Sequence, residues 1–263
     1  MRKKFSIIEI IKKFYLFIVL LFLYMPIITM VVLSFNSSKS RAKWGGFSFT
    51  WYKAMIEDRY IMGALYNTLL IALISSIVAT IIGLIASIGI YNLKKIPKSI
   101  FMSVTNIPMV NADIVTGISL MMFFVAFGIS LGFNTILLSH ITFSIPYVIL
   151  AILPKFRDMK QNIVDAALDL GATPVQAFFK VVIPEIMPGI VSGFLIAFTM
   201  SLDDFIITYF TKGAGMHTIS TLVYSQTKRG INPSMYALSS VIFGSVLLIL
   251  VISNFVSRAK EEV

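Results

Sequence analysis

The sequence predicts an all-α integral membrane protein with six transmembrane helices, and three observations predict it. Of the 263 residues, 57% are hydrophobic and only 13% are charged, about half the charge of an ordinary soluble domain. Several uncharged stretches exceed the roughly 20 helical residues needed to cross a hydrocarbon core about 30 Å thick. The basic residues gather at the borders of those stretches, so the net charge of +10 indicates membrane topology and not a nucleic-acid partner. Composition excludes other classes as well. With no cysteine, the chain has no disulfide framework, thiolate metal site or thiol nucleophile. Its two histidines, His140 and His217, are far apart in sequence, which argues against a His-rich metal site.

The spans follow in order. Residues 1–13 carry five basic residues and form an N-terminal cytoplasmic segment. The first span, 14–35, is too long for a signal-peptide core and lacks a small-residue cleavage site, so it is expected to be retained. An outer loop covers 36–60. A five-helix core, 61–257, holds spans 61–93, 99–127, 134–154, 186–211 and 235–257, with a polar cytoplasmic loop at 155–185. Gly128–Asn134 supplies the turn between the third and fourth spans. Residues 258–263 return to the cytoplasm. With both termini inside, the inner segments hold fourteen Lys and Arg and the outer loops eight, the bias that orients membrane proteins.

Lipid supplies no hydrophobic drive between helices, so close packing needs small residues. Ser75, Ala79, Gly83 and Ser87 recur every fourth residue in the second span, and Gly189, Gly193, Ala197 and Ser201 in the fifth. Two four-member stripes predict two contact faces.

The loop 155–185 is too structured to be a passive connection. A helix over about 161–170 ends at Gly171, suited to a left-handed cap. A second helix starts after Thr173, with Pro174 in the first helical position and Gln176 completing a capping box. Ala166, Ala167 and Ala172 keep the turn slim, and Phe178, Phe179 and Val182 are candidates to anchor it. Such a hook is either a docking element for a partner or an amphipathic segment lying on the membrane surface.

These residues carry a resemblance. Asp165-Ala166-Ala167, three residues, Gly171, then Val181-Val182-Ile183-Pro184 resembles the EAA loop of ABC importer permeases, with Asp165 in place of Glu. The resemblance implies a type I importer permease (MetI-like) bundle whose EAA loop is a cytoplasmic coupling element. Asp165, Ala166, Ala167, Gly171 and Ala172 would then dock a separate ATPase. Asn67-Thr68, Lys95-Ile96-Pro97-Lys98 and Ile107-Pro108 fit the same family. The segments Met109–Val115 with Gly117–Leu120, Ser201-Leu202-Asp203-Asp204-Phe205, and Ser34-Phe35-Asn36 with Trp51-Tyr52 resemble the second membrane subunit of spermidine/putrescine importers. The partners implied are a second permease subunit, an ABC ATPase dimer that binds ATP and Mg, an outer solute-binding protein and membrane lipid, with no nucleic acid. This chain itself would hold no cofactor and perform no catalysis, and its place would be a bacterial cell membrane.

Ionisable groups inside a span are costly and are usually functional or paired. Three exist here: Asp113, Asp203 and Asp204. Asp203 lies about 25 Å along its helix from the inner end, at roughly 1.5 Å per residue, which places the acids in the outer half. There they could pair with the ammonium groups of a polyamine, and Phe198, Phe205 or Tyr209 could add cation–π contact. Three structural alternatives stand beside this. Asp113 with Asn111 caps a half-helix after Pro108; one of Asp203 and Asp204 faces water; or one pairs with Lys212. His140 is expected to be a helix-packing residue and His217 a solvated loop residue.

Neither a phosphate-binding G-x-x-x-x-G-K-[ST] nor a comparable glycine loop is present, so ATP would be hydrolysed elsewhere. The reading is an alternating-access permease for a polyamine. The rivals are the same machine with another small solute, and a proton-coupled secondary transporter, although such carriers commonly show paired halves that this chain lacks. An intramembrane enzyme finds too little catalytic material.

Overall fold

A computed structural model describes residues 7–159 and 161–261. It is all-helical apart from one isolated β-bridge, Asn36 to Phe47, among those residues. The chain divides into two compact units, Met1–Met62 with Val223–Val263, and Gly63–Leu222.

In the first unit, α1 (Ile7–Ser34) leads into a folded loop and α2 (Thr50–Glu57). Asn36, 1% exposed, organises that loop. Its Nδ2 donates to the Lys43 carbonyl at 3.0 Å, and its Oδ1 accepts from Gly45 N at 2.8 Å. Trp51 Nε1 donates to the Asn36 carbonyl at 2.6 Å. Phe35, Phe47, Phe49 and Tyr52 cluster beside it with ring centroids 5.0–5.7 Å apart. The expected outer loop 36–60 is therefore a small packed module. The last helix of the chain packs on α1 and α2.

The remaining helices follow in chain order; those between Gly63 and Leu222 make up the second unit, and those beyond Leu222 belong to the first. They are α3 (Arg59–Asn92), α4 (Lys95–Val110), α5 (Asp113–Ala126), α6 (Phe133–Asp158), α7 (Gln161–Asp169) and α8 (Pro174–Ala177). There follow a wide π turn at Phe178–Val182, α9 (Ile183–Asp203), α10 (Ile206–Thr211), α11 (Ile219–Arg229) and α12 (Ser234–Glu261).

Helix α6 lies between α3 and α9. Val148, fully buried, is the meeting point: a methyl group on Gly83 would come within 2.6 Å of its Cγ1, and one on Gly193 within 3.2 Å. A methyl on Gly189 would stand 3.0 Å from the Ala151 carbonyl oxygen. Both small-residue stripes are buried along their whole length, so the spacing marks real contact faces. Ser75 Oγ and Ser201 Oγ join the stripes at 3.1 Å. Ala79, Ile152, Phe156, Val182, Ile186 and Ala197 complete the core around Val148.

Four helices among the described residues are long and apolar enough to cross a membrane: Lys12–Ser34, Arg59–Asn92, Phe133–Asp158 and Pro174–Asp203. The pair α4 and α5, bent by 102°, makes five if it is one broken span. The sixth expected span, 235–257, falls on α12, whose apolar stretch among the described residues is Ser234–Leu248; the side chains of 249–257 lie outside them, as do residues 1–6 and 262–263.

Two expected helices are interrupted. The helix over 99–127 breaks at Asn111 and Ala112, both extended, with ψ of 145° and 137°. Pro108 withholds an N–H and crowds the preceding turn, and the helix ends two residues later, at Val110. The helix over 186–211 breaks at Asp204, where the carboxylate starts a new helix. At its other end this span begins earlier than expected, because Pro174–Asp203 is one continuous helical run. The π turn precedes Pro184. Proline cannot donate to the carbonyl four residues back and its ring presses on it, so the helix widens there.

Replacing Gly83 or Gly193 by valine should overpack the Val148 contact and cost about 1–3 kcal/mol. Thermal melting in detergent should fall by several degrees for both variants; an unchanged melting point for both would show that these faces do not meet.

Candidate functional site

Asp204 closes α9, and its carboxylate accepts from the next helix. Oδ2 accepts from Thr208 N and from Thr208 Oγ1, both at 2.7 Å, and Oδ1 accepts from Ile207 N at 3.3 Å. A carboxylate at a helix start satisfies unpaired N–H groups and meets the positive end of the helix dipole. Ser220 Oγ donates to the Asp204 carbonyl at 2.6 Å, which satisfies the backbone at the break. His140 of α6 stands behind the carboxylate, its Nε2 at 3.4 Å from Oδ2.

The break directs three acids to one place. A cavity of about 350 Å³ is lined by Asp113, Asp203, Asp204 and Phe205, together with Phe143 and Tyr147 of α6, Pro108, Thr116, Met200, Ile206 and Ile207. Its size lies in the range of small-molecule sites, roughly 300–1,000 Å³. Asp113 is the first residue of α5. Helix α5 seats on α10 where Gly117 meets the backbone of Ile206 and Ile207, and this close seating brings Asp113 to the cavity. Asp113 and Asp203 are exposed and Asp204 is nearly buried, its side chain 9% accessible.

The aromatic candidates separate. Phe205 lines the cavity, whereas Phe198 and Tyr209 do not. Phe198 stacks on Phe194 at 6.0 Å, and Tyr209 packs against Phe205 and Phe210. Phe143 and Tyr147 were missed. They sit three and seven residues after His140, on one face of α6, which was the available signal. Lys212 is not an ion-pair partner of the acids: its Nζ reaches the Met216 carbonyl at 3.5 Å. His140 does more than pack, because its Nε2 reaches Thr208 Oγ1 at 2.9 Å and stands beside Asp204. His217 lies in a loop as expected but is half-buried, and its carbonyl accepts from Asn67 Nδ2 at 3.1 Å.

The second candidate region is the hook. Helix α7 ends at Asp169, and Gly171 turns the chain with φ +87°, a conformation that penalises any Cβ. Thr173 Oγ1 then accepts from Gln176 N at 3.3 Å, while Gln176 Oε1 accepts from Thr173 N at 3.0 Å. Ala177 is buried, and Phe178 and Val182 hold the second arm against the core. Phe179, 64% exposed, is not an anchor. Asp165 lines a second cavity of about 310 Å³ with Tyr91, Phe156, Met159 and Phe178. Ala166 and Gly171 are exposed, and Ala167 and Ala172 half-buried. Leu170 at 89% and Val175 at 66% project unburied beside the turn.

Removing the capping carboxylate with Asp204→Ala should cost about 1–2 kcal/mol through the lost helix cap. Asp203→Asn, whose side-chain oxygen can still accept from its own backbone N–H, should stay within about 0.5 kcal/mol. Melting in detergent compares the two, and equal losses would show that the acids are not divided this way.

Residues 79–261 match a family described as the inner membrane component of binding-protein-dependent transport systems. The putrescine transport system permease protein PotI of Escherichia coli strain K12 is 38% identical over 248 residues, covering 92% of this chain and 88% of that protein. The spermidine/putrescine transport system permease protein PotC of Haemophilus influenzae is 33% identical over 248 residues, covering 94% and 96%. In fold, the chain is similar to a chain in the crystal structure of a bacterial ABC transporter involved in the import of the acidic polysaccharide alginate. The TM-score is 0.71, with 14% identity and 98% of each chain covered.

Proposed function

Because the chain belongs to the family of inner membrane components of binding-protein-dependent transport systems, and is a multi-pass permease of that kind, we propose that it passes a polyamine across the bacterial cell membrane by alternating access. The cavity carries this reading. Three carboxylates and three aromatic rings converge in one space of about 350 Å³. In a setting poorly screened by water, such a space favours a flexible cation with separated ammonium groups over a neutral or anionic solute. The relatives named for putrescine and spermidine support that cargo.

The chain is one of two permease subunits and spans the membrane six times, with α12 as the sixth span and both termini in the cytoplasm. An outer binding protein delivers the cation. A separate ATPase dimer binds ATP and Mg and receives the hook, so this chain hydrolyses nothing itself. Asp165, Ala166, Ala167, Gly171 and Ala172 form the coupling surface. Leu170 and Val175, unburied beside Gly171, supply the apolar contacts such a joint needs. Helix α8 runs unbroken through the π turn into α9, and α9 ends at the acid pair. Movement of the hook is thereby transmitted along one rod to the cavity. Nucleotide biases one end of a two-state element and cargo the other.

Two outcomes test this. Cells whose own gene is replaced by Asp203→Asn or Asp113→Asn should take up putrescine at least about tenfold more slowly, the equivalent of roughly 1.4 kcal/mol, at unchanged amounts of protein. Uptake equal to that of the unaltered chain in both would remove the acids from the path. Gly171→Ile, strained at φ +87°, should leave the protein inserted but abolish cargo-stimulated ATP hydrolysis; normal stimulation would contradict the docking role.

A further inference from the structure

His140 is 1% exposed in the interior of α6, where an uncompensated polar ring would be costly. Its neighbours come from α3, α9 and α10. Nδ1 lies 2.6 Å from Ser201 Oγ, Nε2 lies 2.9 Å from Thr208 Oγ1, and Ser75 Oγ donates to Ser201 Oγ at 3.1 Å. Thr208 has one hydroxyl proton, and it goes to Asp204 Oδ2. The bond between His140 and Thr208 therefore needs its proton on Nε2. In the neutral ring Nδ1 is then an acceptor, and Ser201 donates to it. From Ser201 onward every donor points the same way, Ser201 to His140 to Thr208 to the Asp204 carboxylate, and Ser75 stands behind them with its one proton shared between Ser201 and the Ala72 carbonyl at 3.3 Å. Chains aligned like this polarise one another and hold their members in one arrangement.

We infer that His140 is a positioning residue for the cation path: through Thr208 it holds the Asp204 carboxylate turned onto α10, fixed in the cavity wall. Asp113 and Asp203, whose carboxylates bond no other residue among the hydrogen bonds and ion pairs of the described residues, are left to meet the cargo directly. This inference rests on the cavity being the cation site. It adds a division of labour between two adjacent acids, together with the residue that sets it.

The test is a double-substitution cycle in cells whose own gene is replaced by each variant, read as putrescine uptake per amount of chain in the membrane. His140→Phe keeps the ring but makes no hydrogen bonds, and uptake should fall at least tenfold. His140→Gln can donate to Thr208 and accept from Ser201, and should stay within threefold of the unaltered chain. Asp204→Asn alone should fall at least tenfold, and His140→Phe added to it should lower uptake by less than twofold more, because the ring acts through that carboxylate. Full uptake by His140→Phe, equal failure of His140→Gln and His140→Phe, or a further tenfold loss in the double variant would each overturn the inference while leaving the cation site standing. If the unaltered chain takes up no polyamine, the proposed cargo fails instead. The same four variants melted in detergent then decide the pairing: non-additive shifts support it and additive shifts refute it.

Discussion

The structure depends on how closely α3 and α9 approach α6. Lipid rewards no hydrophobic burial between helices, so the contact must come from van der Waals fit and internal hydrogen bonds. Gly83 and Gly193 lie on either side of Val148 with room for hydrogen atoms only. Once the backbones are that near, Ser75, Ser201 and His140 come within bonding reach of one another. The polar network is thus a consequence of the small-residue stripes, and a side chain larger than glycine at the Val148 contact would separate its members.

The network in turn explains one of the two breaks that shape the cavity. Asp204 ends one helix and begins the next because its carboxylate satisfies the first N–H groups of α10 and receives Thr208. The break after Pro108 sets α5 on a new axis, and Gly117 lets it settle on α10. At Asp204 the interruption, costly in lipid, is tolerated because side chains satisfy the freed backbone, and the two breaks together leave acids facing a common space. At the other end of α9, the π turn before Pro184 joins the hook to the same rod. Hook and cavity are therefore opposite ends of one continuous element.

Much of this was legible in the residues. Contact faces followed from a four-residue period. The hook followed from Thr173, Pro174, Gln176 and Gly171, whose roles are local and need no partner. What was not legible required proximity across the chain. Nothing near Asp204 in sequence announces His140, 64 residues earlier in the chain, so the histidine read as packing and Lys212 as a possible partner. The three aromatics chosen for the cavity were neighbours of the acids in sequence, but a helix rotates by about 100° per residue at 3.6 residues per turn. Phe198 and Tyr209 consequently point elsewhere, while Phe143 and Tyr147 arrive from another helix. Continuous hydropathy also concealed the kinks, since a broken span is as apolar as a straight one.

The absence of native cysteine allows the most direct measurement. Leu170→Cys places a single thiol at the exposed tip of the hook. In vesicles of known orientation, a membrane-impermeant maleimide should label it from the cytoplasmic face only, quickly when the ATPase has been stripped away and slowly when it is bound. Labelling from the outer face, or a rate indifferent to the ATPase, would contradict the account.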